Sequence, residues 1–120
     1  RQPKRITRKR IFKMIKIDIV PLSINAAFQG RRFKTPTYSK YESIVLIMLP
    51  KISIPEPPFK VNIQLGFSST LSDIDNPLKP ILDILQKKYN INDKDIFELN
   101  VKKEIVKKKN EYFAFEILKL

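Results

Sequence analysis

Ile15, Ile17 and Ile19 alternate with Lys16 and Asp18, the period of a half-buried strand, and Pro21 ends the pattern. Val61, Ile63, Leu65 and Phe67 alternate in the same way with Asn62, Gln64 and Gly66, which predicts a strand running into a loop at Ser68 to Ser72. Phe97, Leu99, Val101 and Ile105 predict a third strand, and Phe113, Phe115 and Ile117 a fourth. With Lys107-Lys108-Lys109-Asn110 as the turn between them, the last two are expected to form a β-hairpin. Two other stretches follow the helical period. Leu78, Ile81, Leu82 and Leu85 fall at i, i+3, i+4 and i+7, with Pro77 suited to the first helical position and Asn76 or Asp75 to the N-cap. Tyr38, Tyr41, Val45, Met48 and Leu49 make the second helix, for which Thr35-Pro36 and the capping box Ser39-x-x-Glu42 both offer a start. The continuous run Ile44 to Leu49 also fits a buried strand; the spacing around it favours the helix. Pro50, Pro55, Pro57 and Pro58 close it with an extended connector. The order β-α-β-α-β-β predicts an α+β fold, a mixed sheet with two helices packed on it.

Length and charge narrow the function. At 120 residues the chain is expected to be a single domain, 1–120, in which residues 1–10 hold six basic side chains and no acid and read as a basic arm. A formal charge of +12 points to a polyanionic partner, nucleic acid before an anionic membrane or an acidic protein. Arg31, Arg32 and Lys34 flank Phe33 in a basic loop, a combination suited to phosphate and base contact. No run approaches the roughly 18 apolar residues of a membrane span, and Lys13, Lys16 and Asp18 interrupt any signal-peptide core. A soluble, cytoplasmic protein with no membrane partner is expected. The absence of cysteine and histidine excludes thiol nucleophiles, imidazole zinc sites and the Ser-His-Asp triad. A metal would have to be held by oxygen, which favours Mg²⁺ or Mn²⁺.

The chemistry available is concentrated between residues 73 and 103. Asp73 and Asp75 precede the better amphipathic helix, Lys79 lies one turn beyond Asp75, and Asp93 and Asp95 follow the helix. An isolated Asp-x-Asp before a helix is most often a cap or a solvated turn. The conjunction of strand, Asp-x-Asp, helix with lysine, and further aspartates is more specific. If the next strand lies beside the helix mouth, these groups make a hard-cation site next to a phosphate-binding lysine. Carboxylates where a polyanion approaches are intelligible when a cation bridges them.

At these residues the chain resembles the RusA-type endodeoxyribonucleases, Holliday junction resolvases of bacteria and phages. Asp73, Asp75, Asn76 and Lys79 match that family's Asp-x-Asp-Asn-x-x-Lys pattern in register. Asp93 matches the second member of its acidic pair, and Lys103 a basic position in the following strand. The opening Pro21-x-Ser23-x-Asn25, the basic loop and the tyrosine-bearing helix are similar too, so the likeness spans nearly the whole chain. Asn92 stands where the family has the first acid of the pair, Ser72 where some members carry a basic residue, and the basic front end is not a family requirement.

The resemblance implies a Mg²⁺-dependent homodimer, with Mn²⁺ able to substitute, that cuts four-way DNA junctions by paired nicks. With it, Asp73, Asp75 and Asp93 are expected to hold one or more Mg²⁺ ions, Lys79 to neutralise charge on the scissile phosphate or the leaving oxygen or to orient the water, Asn76 as helix cap to fix its neighbouring aspartates, and Arg31, Arg32, Lys34 and Lys103 to contact DNA. The 44–49 helix is the expected dimer contact. The alternatives are a non-enzymatic basic nucleic-acid-binding protein and a general metal-dependent DNA nuclease.

Overall fold

The computed structural model describes residues 14–23, 28–29 and 33–120. In chain order the elements are β1 (Ile15–Ile17), β2 (Phe28–Gln29), β3 (Phe33–Lys34), α1 (Pro36–Met48), β4 (Phe59–Phe67), α2 (Leu78–Tyr89), a 3₁₀ turn (Asp93–Asp95), β5 (Ile96–Ile105) and β6 (Tyr112–Lys119). Two helices and a four-stranded mixed sheet give the expected α+β fold. Among the described residues the two-residue strands β2 and β3 pair only with each other and add a small ribbon that the hydrophobic pattern does not predict.

The sheet order β1-β6-β4-β5 corrects the expected terminal hairpin. β5 and β6 do not pair; β4 lies between them, parallel to β5 and antiparallel to β6. Residues 106–111 therefore pass over the end of β4, where the Val106 amide donates to the Phe67 carbonyl at 2.7 Å. The physical reason is burial. Phe59, Val61, Ile63, Leu65 and Phe67 are all buried on one face of β4, whereas β5 is exposed along most of its length. A strand with that much apolar surface is stable at the centre, where neighbours on both sides keep water from it.

The helices cover this same face. Tyr38, Tyr41 and Val45 turn inward from α1, and Ile81, Ile84 and Leu85 from α2, against Phe113, Phe115 and Ile117 of β6. Two details differ from the predicted stripes. Met48 is 39% exposed while Leu49 is buried, and on α2 the stripe is rotated so that Ile84 is buried and Leu78 and Leu82 only partly so. The N-cap of α1 is Thr35, whose hydroxyl accepts from the Tyr38 amide at 3.1 Å. α2 begins at Leu78 after Pro77, with no side-chain cap, and ends at Asn90 in the left-handed conformation. The other face of the sheet is largely polar, with Tyr112 and Ala114 buried on it. Asn62, Glu116 and Asn100 form a hydrogen-bonded row across it, with Glu98 joined to Asn100 and to Lys60.

Candidate functional site

The loop after β4 carries the first two aspartates. The strand ends at Phe67, the Ser69–Ser72 turn reverses the chain, and the Asp75 carbonyl accepts the Leu78 amide at 3.1 Å as α2 begins. Both carboxylate residues are exposed. Asn76 is not a helix cap. Its amide donates to Asp73 Oδ2 at 3.3 Å, so it holds a carboxylate directly rather than through the helix terminus. Lys79 forms an ion pair with Asp83 one turn further along α2, Nζ to Oδ2 3.2 Å.

Lys103 belongs to the same neighbourhood. Leu65 and Lys103 are register partners, so the lysine projects on the helix-covered face of β5 near the end of β4. Its ammonium donates to the Thr70 carbonyl at 3.3 Å and the Ser72 carbonyl at 2.5 Å, and it lies 5.8 Å from the Phe67 ring centroid. It straps the turn that presents Asp73.

Asp93 is elsewhere. β4 and β5 are parallel, so the Asp93–Asp95 turn, immediately before Ile96, lies beside Phe59 at the start of β4, whereas Asp73 and Asp75 follow its end. α2 spans the distance between them, about 18 Å for 12 residues. Within one chain the three carboxylates expected to share a metal are not brought together, and no group of three or more histidine, cysteine, aspartate or glutamate side chains among the described residues is placed to hold one. The turn has a structural explanation of its own. Asn92 Oδ1 accepts from the Lys94 amide at 3.0 Å, and Gln86 Oε1 from the Asp93 amide at 3.1 Å.

Two features sequence reasoning missed or undervalued meet Asp73 in a cleft of about 170 Å³. Pro21 and Ser23, from the weak opening motif, line it together with Asn76, Ser68 and Glu111. Glu111, in the connection before β6, accepts from the Ser68 hydroxyl at 2.7 Å and from the Lys109 amide at 2.7 Å. The Ser68 hydroxyl above all holds its carboxyl below the usual range. Sequence offers no signal for this, because Glu111 joins the site only through the crossing of the chain over β4.

Of the proposed DNA contacts, Lys34 lies on β3. Arg31 and Arg32, and the arm 1–10, lie outside the described residues. Among the described residues no helix is long and apolar enough to cross a membrane. The expected dimer helix does present an apolar stripe, with Ile44 39%, Ile47 85% and Met48 39% exposed.

No family model matches the chain, and no curated protein matches it.

Proposed function

We propose that the chain is a Mg²⁺-dependent, structure-specific endodeoxyribonuclease that acts as a homodimer in the cytoplasm, resolving Holliday junctions by paired nicks during DNA recombination and repair. The observation that carries this reading is the loop 68–77. In a chain of charge +12, two exposed aspartates lie together in sequence at the start of α2, with Asn76 bonded to one and Lys103 strapping their turn.

The donor set fits a magnesium ion only in part. Mg²⁺ is commonly held by one or two carboxylates and completed by substrate phosphates and water, which Asp73 and Asp75 with a DNA backbone would satisfy. Asp93 does not fit within the same chain. The metal, when bound, supplies charge neutralisation at the phosphate and makes water more acidic. Asn76 keeps Asp73 oriented; Lys79 offers positive charge to the reacting phosphate; Lys103 keeps the turn rigid; Arg31, Arg32 and Lys34 contribute phosphate contacts.

The test is cleavage of a synthetic four-way junction with and without Mg²⁺, beside duplex and single-stranded controls. Paired, metal-dependent nicks confined to the junction support the proposal. Equal cutting of all forms would make the protein a general nuclease. Tight binding without cleavage would favour the non-enzymatic reading, in which Asp73 and Asn76 simply build the start of a helix.

A further inference from the structure

We infer that the outer edge of β5 pairs antiparallel with the same edge of a second copy, so that two four-stranded sheets continue as one across a two-fold axis at Asn100. The inference rests on the homodimer in the reading above and names its interface.

β5 is an edge strand of ten residues, against three in β1 at the opposite edge. One side of its backbone pairs with β4; among the described residues no strand pairs with the other, whose amides and carbonyls are a template for a further strand. Exposed apolar side chains accompany it: Phe97 68%, Leu99 40% and Ile105 47%.

The register follows from the faces. Leu99, Val101 and Lys103 lie on the helix-covered face, opposite Val61, Ile63 and Leu65, while Glu98, Asn100 and Lys102 lie on the other. A two-fold axis normal to the sheet preserves faces, so residues opposite each other must share one. Centring on Asn100 sets Leu99 against Val101 of the partner subunit, and Glu98 against Lys102 of the partner subunit, each twice. Asn100 meets its own copy. Centring on Val101 would oppose Glu98 and Glu104 of the partner subunit, a like-charge pair. Centring on Leu99 would bring the register shift between Phe59 and Lys60, where Phe97 is the extra residue, within two residues of the axis, and would set Glu98 against Asn100 of the partner subunit in place of a lysine. Edge strands kept apart carry charges that repel their own copy; the charges here complement it.

The chain has no cysteine, so Asn100→Cys introduces a single thiol. Residues opposite each other in an antiparallel pair have Cα atoms about 4.5–5.5 Å apart, within the reach of a disulfide. Mild oxidation of the full chain should therefore give a covalent dimer, whereas Lys60→Cys, on the interior strand β4, should give none. In sedimentation, Glu98→Lys should weaken dimerisation roughly tenfold, and the pair Glu98→Lys with Lys102→Glu should restore it. A dimer that fails to cross-link at residue 100 and is instead dissolved by Ile47→Glu overturns the edge pairing in favour of the α1 stripe, leaving the dimeric nuclease standing. A strict monomer overturns the dimer altogether. A cross-linked dimer that cuts no junction supports the interface and removes the nuclease.

Discussion

Gly66 of β4 lies directly opposite Tyr112 of β6, and the tyrosine ring lies over it, so that a Cβ on Gly66 would run into the ring. The glycine makes room for an aromatic side chain to cover the otherwise polar sheet face. Tyr112 is then held at its hydroxyl by Glu104 at 2.5 Å and Gln64 at 2.9 Å, and Lys16 lies 4.8 Å from its ring centroid. Gly66→Ala must displace the ring and is expected to cost about 1–3 kcal/mol, as overpacking does. Tyr112→Phe keeps the ring and should cost about 0.5–1.5 kcal/mol through its hydroxyl bonds. Urea denaturation should rank the two in that order; a Gly66→Ala protein as stable as the parent would contradict the packing.

All four tyrosines should ionise late. Burial raises Tyr38, Tyr41 and Tyr89, and burial together with Glu104 pushes Tyr112 up to about 12. Their folded values lie above the unfolded value of about 10, so the stability they contribute is complete below that pH. It is lost as pH rises from about 10 through the folded values. The folded protein should show less phenolate absorbance at pH 10 than the unfolded chain, whose tyrosines are about half ionised there, and absorbance and unfolding should rise together above it. Half-maximal phenolate absorbance at pH 10 in folded protein would contradict this.

On the proposed function, Asp75→Asn is expected to abolish junction cleavage while leaving binding intact or stronger, since it removes a metal-ligand candidate and one negative charge that would face DNA. Undiminished turnover would end the nuclease assignment. Lys79→Ala should lower the single-turnover rate by about 10²-fold with little loss of affinity, the pattern of a contact made only in the transition state. Weakened binding at an unchanged saturated rate would make Lys79 a binding residue.

Lys103→Met keeps the stem near Phe67 and removes the ammonium that bonds Thr70 and Ser72. Amide exchange in residues 68–73 should accelerate, with a global loss near or below about 1 kcal/mol for an exposed contact. If Lys103 also touches DNA, the salt dependence of binding should become shallower by about one phosphate contact. Unchanged exchange would mean that the strap does not hold the turn.

The two helices and the strands of the main sheet were legible in the sequence because their periods are local; the short β2–β3 ribbon was not. Alternation marked β4 and β6, the i, i+3, i+4 stripe marked α2, and Asp73, Asp75, Asn76 and Lys79 fell beside the start of that helix as their spacing requires. Which strand lies next to which is not local. β5 and β6 looked like a hairpin because a short turn joins two apolar patterns, but the five buried side chains of β4 made it the strand that needs neighbours on both sides, and it took the place between them. The parallel pairing that followed put Asp93 at the opposite end of the sheet from Asp73 and Asp75. The same crossing brought Glu111 to Ser68, and packing set Pro21 and Ser23 beside Asp73. Periodicity decides which face of an element is apolar; only the competition among all those faces for one core decides where each end of an element lies, and so which of the charged residues meet.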